Sequence, residues 1–157
     1  MNNAETPLRT VYIPGRPFGK QRPRGRRMGK GVQLYTPEKT VTEEAYVRAV
    51  VVQKVGSPFM LGPVEVRLMI LVPIPKSWSA KKRIEALATP DSYKWLSGVR
   101  VGRVLPTGKP DLDNVAKLVL DALNGILWRD DSQVVSLTIV KQYASEPGMQ
   151  LSFREVT

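Results

Sequence analysis

Residues Lys109 to Asp131 read "KPDLDNVAKLVLDALNGILWRDD", and they hold five of the six aspartates of a chain whose formal net charge is +10. On a helical wheel at about 100° per residue with Asp113 at zero, Asn124 falls near 20°, Lys117 near 40°, Asp121 near 80° and Asn114 near 100°. Leu112, Val115, Leu118, Val119, Ala122, Leu123 and Ile126 cover the other side. The stretch therefore predicts a core-forming helix with one polar strip, opening after Pro110. Asp111 precedes it in the N-cap position, which sets its carboxylate close to that of Asp113.

Such acids have an ordinary explanation. Asp111 and Asp113 favour the helix dipole, and Asp113 with Lys117 forms an i,i+4 ion pair. Three observations argue for more. Asp130 and Asp131 follow just past the helix, where a return into a strand brings them back beside its start. Carboxylates so gathered repel one another unless a cation compensates, and a divalent ion such as Mg²⁺ would do so. The remainder of the chain is basic, with 24 Lys and Arg against 14 Asp and Glu, which suits a polyanionic partner such as nucleic acid. The chain has neither Cys nor His, which excludes disulfides, thiolate zinc sites and imidazole bases and leaves a hard, oxygen-bound metal. Together these describe a metal-dependent phosphodiesterase, with Lys117 adding positive charge at the reacting phosphate.

Around this segment the chain of 157 residues reads as one domain, 1–157. "RTVYIPG" predicts a strand and "VQLYT" a return strand; between them residues of about 15–32 predict a long basic loop carrying Lys20, Arg22, Arg24, Arg26, Arg27 and Lys30 as DNA contacts. Phe18 and Tyr35 flank that loop and read as core or strand residues before base-stacking ones. "TPEKTVTEEAYVRAVVVQKVG" predicts a helix over about 37–55, with Thr36 as cap, Pro37 at the first turn and Gly56 as its stop. Val64 to Val72 alternate as a strand whose end is buried on both faces. A short basic helix follows Ser79, and about 88–109 shows no period and is expected to be mobile. "VVSLTIVKQYA" and "MQLSFREV" predict two closing strands joined around "SEPG", and Trp128 reads as packing that fixes Asp131. The fold class is α/β in the α+β sense: a small mixed sheet with packed helices. The start "MNNAETPLRT" lacks the pattern of a signal peptide, and no stretch is long and apolar enough to suggest a membrane span, so a cytoplasmic protein is expected.

The run "KPDLDNVAKLVLDAL" followed by "DDSQV" resembles the RusA family of Holliday junction resolvases, in which a D-L-D-N motif opens a helix and D-D-x-Q-V follows. "GKQRPR", "LYTPEKT" and "IPKSWS" look like segments of its phage and prophage members. The resemblance implies a RusA-like fold and a homodimeric Mg²⁺-dependent endonuclease, with Mn²⁺ able to substitute, that nicks two opposing strands of four-way DNA. It implies Asp111, Asp113 and Asp131 as metal ligands and Lys117 as the essential lysine, with Asp121 supporting and Asp130 either beside the metal ligands or a turn residue. The chain departs from the family pattern in its longer basic N-terminal region and in the insertion from "SWSAKKR" to "PTGK". Two other readings share these residues: a nuclease for flaps or forks, and a non-catalytic DNA-binding phage protein.

Overall fold

The computed structural model describes residues 6–87 and 104–156. Four strands form one mixed sheet in the order β1-β6-β4-β5: β1 (Arg9–Pro14), β4 (Val64–Pro73), β5 (Val134–Ala144) and β6 (Gly148–Glu155). β4 runs parallel to β5 and antiparallel to β6, which in turn pairs antiparallel with β1. This is the mixed α+β architecture expected. The closing strands are joined by only three residues, 145–147, yet they are not neighbours, because β4 lies between them.

β4 owes its central place to its composition. Val64, Val66, Leu68, Ile70 and Val72 bury one face against the helices, while Met69 and Leu71 are fully buried on the other beside Ala144. A strand apolar on both faces has nowhere stable but the middle of a sheet. Near its start Glu65 lies opposite Arg154 and pairs with it and with Arg67 at 2.6 and 2.8 Å.

Two long helices cover one face. Helix α1 (Glu38–Val55) begins with Pro37, not Thr36, as its cap: the Pro37 carbonyl accepts from the N–H of Thr40 at 2.9 Å. It ends at Gly56, whose φ of +72° is one that glycine alone adopts without strain. Helix α2 (Ala80–Leu87) is the short basic helix expected after Ser79, and Ser79 Oγ accepts from the N–H of Lys82. Helix α3 (Leu112–Leu123) buries Val115, Ala116, Leu118, Val119, Ala122 and Leu123, nearly the apolar face of the wheel. Each large side chain among these contributes roughly 1.5–3 kcal/mol by burial, which fixes the rotation of the helix and so the direction of its polar strip.

The basic segment differs from expectation. It is not one irregular loop over 15–32, since β2 (Arg24–Met28) and β3 (Gly31–Tyr35) form an antiparallel hairpin of their own. Gly29, at φ +59°, opens its two-residue turn, the position a II′ turn reserves for glycine. "VQLYT" is thus a return strand to β2 and not to β1. Of the segment expected to be mobile at about 88–109, residues 88–103 lie outside the described residues. Among the described residues no helix is long and apolar enough to cross a membrane.

Candidate active site

The polar strip of α3 faces outward, as the wheel requires. Asp111, Asp113 and Lys117 are exposed, and Asp121 is partly covered. Asp111 is the N-cap residue by its backbone, its carbonyl accepting from the N–H of Val115 at 3.2 Å. Its side chain makes no capping hydrogen bond; Oδ2 accepts instead from Asn114 Nδ2 at 3.4 Å. The ordinary explanation for Asp113 also loses a leg. Neither its side chain nor that of Lys117 forms an ion pair or hydrogen bond among the described residues, although the two are an i,i+4 couple.

The turn that delivers Asp111 is held from the sheet. Lys141 on β5 donates from Nζ to the carbonyls of Gly108 at 2.7 Å and Pro110 at 2.9 Å. Its ammonium thus stands beside the first turn of α3 and fixes where that turn begins. No sequence pattern marked Lys141, because its role depends on a register set by β4.

The N-terminal segment meets α3 along the strip, from Asn114 in its first turn to Asp121 in its last. The N–H of Lys20 donates to the Asn114 carbonyl at 2.9 Å, and its ammonium reaches Asp121 at 2.5 Å and Glu44 of α1 at 2.9 Å. Gly19 permits this approach, since a Cβ there would lie 3.2 Å from that of Asn114. Partial burial works against the charge of Lys20, but the hydrogen bonds it donates to Asp121 and Glu44 outweigh it and hold the ammonium above the ordinary lysine range. Lys20 is therefore committed within the protein, apart from the other five proposed DNA contacts. Arg22, Arg24, Arg26, Arg27 and Lys30 are all exposed.

Asp131 opens a single 3-10 turn, Asp131–Gln133, that precedes β5. A hydrogen bond shared with the Asp130 carboxylate, partial burial and the negative charge of Asp130 and Asp121 all push its carboxyl above the usual range. Asp130 is held below that range by the hydroxyl of Ser132 at 3.0 Å and by Asp131. The α3 carboxylate whose charge Asp131 feels is thus Asp121. Asp111, Asp113 and Asp131 are not drawn into one cluster: among the described residues no group of three or more acidic side chains is close enough to hold a metal ion.

Gln133 explains the shape of this turn. Its Oε1 accepts from the N–H groups of Arg129 at 2.7 Å and Asp130 at 3.3 Å, while Nε2 donates to the carbonyls of Met60 at 3.2 Å and Gly62 at 3.0 Å. Every donor and acceptor of the amide is used. Below it Trp128 is fully buried, its Nε1 donating to Asn124 Oδ1 at 2.9 Å, so the indole fixes the approach to Asp131 as expected. Phe18 packs against the core with Lys39 over its ring, whereas Tyr35 is 46% exposed on the hairpin.

Comparison with known proteins gives this arrangement a context. The sequence matches the family described as Endodeoxyribonuclease RusA over residues 14–154. The chain belongs to the RusA family. It is also 36% identical over 148 residues, covering 94% of this chain and 95% of the other, to an uncharacterized protein, YqaN, of Bacillus subtilis (strain 168). RusA membership implies an endodeoxyribonuclease, and the family match takes in the polar strip, the Asp131 turn and the basic hairpin together. The all-oxygen donors Asp111, Asp113 and Asp131 suit a hard divalent cation by their chemistry. Besides Lys141, two residues that shape this candidate site carry little mark in the sequence. Gln133 stood in the quoted D-D-x-Q-V motif with no role assigned, and Glu44 was one acid among several at the start of α1.

Proposed function

We propose that the protein is a homodimeric endonuclease that resolves four-way DNA junctions by paired nicks in opposing strands, with Mg²⁺, or Mn²⁺ in its place, as cofactor. The observation that carries this reading is the pair of exposed carboxylates, Asp111, held only by a long bond from Asn114, and Asp113, unengaged among the described residues, on one strip with an unengaged Lys117 in a RusA-family chain. Asp111 and Asp113 would hold the metal; Asp131, the third ligand the family resemblance implies, stands by Asp121 and is not drawn to them within one chain. When bound, it supplies an activated water and charge neutralisation at the phosphate.

The chain's own residues do the remainder. Lys117 meets the non-bridging oxygens of the scissile phosphate, where charge grows as the phosphorus becomes five-coordinate. Lys141 orients the turn bearing Asp111, and Gln133 orients the turn bearing Asp131. Arg22, Arg24, Arg26, Arg27 and Lys30 grip flanking phosphates; guanidinium groups do so with two parallel hydrogen bonds. Two symmetric nicks need two copies of a site that one chain carries once, and a twofold dimer provides them.

The test presents a synthetic four-way junction, a flap, a fork and a linear duplex to the protein with and without Mg²⁺ or Mn²⁺. Symmetric metal-dependent nicks confined to the junction are expected. Preferred cutting of flap or fork would move the same site to another branched substrate, and binding without cleavage would make the protein a non-catalytic DNA binder.

A further inference from the structure

Beside the turn that delivers Asp111 lies an open cleft of about 290 Å³. Its lining is largely apolar and stiff: Pro17, Pro73, Pro75 and Pro106 contribute to it, and Tyr143 joins them from β5. Tyr143 is braced from behind by Trp78, the two rings meeting edge to face with centroids 5.0 Å apart. The rim is cationic, for Arg16 and Lys109 line it, both exposed and neither engaged in an ion pair or hydrogen bond among the described residues. Gly108 and Pro110, whose carbonyls Lys141 holds, form the wall next to Asp111.

We infer that this cleft takes one unpaired nucleobase of the DNA substrate, next to the phosphodiester brought to Asp111 and Asp113, with Arg16 and Lys109 on the phosphates that flank it. The inference rests on the nuclease reading above and adds to it a base-binding subsite. Size, surface and place agree. The volume is at the lower end of small-ligand sites, enough for one flat ring system and too little for a stacked pair. A rigid aromatic and proline lining offers a stacking platform that any base can use, and bases expelled from a duplex or exposed at a branch need such a surface. Two free cations on the rim match the charge of the phosphates either side of that base, as an uncharged small molecule would not require. The hairpin's Tyr35 is exposed as well, but it lies on a two-stranded ribbon with every residue exposed, and the groove it lines with Arg26 and Gln33 has no proline or second aromatic to stiffen it.

The experiment places 2-aminopurine, singly, at each of the few nucleotides either side of the branch point of a four-way junction and titrates wild-type protein in EDTA, so that binding proceeds without cleavage. Anisotropy of a distant dye reports binding in the same cuvette. Emission is expected to rise at one or two positions as the base leaves its stack. Tyr143→Ala should abolish that rise and weaken binding about tenfold, as loss of one base–aromatic stack does. Arg16→Ser, at an exposed position that leaves the fold intact, should reduce the rise and weaken binding several-fold. A junction bound tightly with no position rising, or a rise that survives unchanged in both variants, overturns the cleft while leaving the nuclease reading standing. Failure of the wild-type protein to bind the junction overturns both.

Discussion

Replacing Gln133 by Met removes every hydrogen bond of the amide while keeping a side chain of similar length, so it isolates the clamp from cavity effects. Of its four bonds, the one to the Asp130 N–H is the longest at 3.3 Å, and the other three lie between 2.7 and 3.2 Å. At about 0.5–1.5 kcal/mol net per bond, with the exposed Arg129 N–H regaining water and the carbonyls of Met60 and Gly62 less able to, the loss is roughly 2–3 kcal/mol. For a domain of this size each kcal/mol moves Tm by about 2–4 °C, so a fall of about 4–12 °C is expected by thermal unfolding. Nicking measured well below that Tm should drop about tenfold or more, because the turn carrying Asp131 is no longer tied to the loop before β4. Gln133→Glu should fare no better near neutral pH: its carboxylate still accepts from Arg129 but turns negative charge on two carbonyl oxygens. A Tm within about 2 °C of wild type together with unchanged nicking would refute the clamp.

Asp113→Asn should abolish cleavage and leave junction binding intact or tighter, since it removes negative charge that repels phosphate, and Lys117→Ala should slow nicking by about 10²-fold with a much smaller effect on Kd. Arg22, Arg24, Arg26, Arg27 and Lys30 should contribute about −4.5 per subunit to the slope of log K against log salt, as replacing all five would show; Lys20→Met should leave the slope unchanged because its ammonium is already engaged. Partial burial opposes the charge of Glu65, but Arg154 and Arg67 outweigh it and hold its pKa below the ordinary 4.5, so the stabilisation it gives is present above that value. It is lost as pH falls through the lowered folded value, and a Glu65→Gln variant should therefore melt below wild type at pH 7 and converge with it in acid.

Much of the fold was legible because burial writes periodicity into sequence. The apolar face of α3 and the doubly buried end of β4 were both readable for that reason. The β2–β3 hairpin was not, since all ten of its residues are exposed and no alternation marks them. A signal did exist in "MGKG", where Gly29 and Lys30 make the two-residue turn, but Arg-rich flanks disguised it. Strand order failed to show for another reason. The short link between β5 and β6 suggests neighbours, and only the greater apolarity of β4 decides that it takes the middle.

The candidate residues were nameable from the sequence, but their connections were not. Asp111, Asp113 and Lys117 follow from one helix and its wheel, whereas Asp131 depends on how the chain returns. It returns into a strand whose eighth residue, Lys141, is the one that reaches the opening of α3, so the start of that strand lies away from that opening. At a rise of about 3.3 Å per residue, the seven steps from Val134 to Lys141 cover roughly 23 Å, more than the length of α3 itself. That is why Asp131 feels Asp121 and why Asp121 matters more than its place on the wheel suggested. Asp121 is also the anchor of Lys20, and Lys20 precedes the hairpin by only four residues. An arm free at its root would bind DNA in any orientation. On the proposed nuclease reading, one fixed at α1 and α3 would bring phosphates along the strip that carries Lys117 and Asp113, which would convert nonspecific attraction into alignment of the bond to be cut.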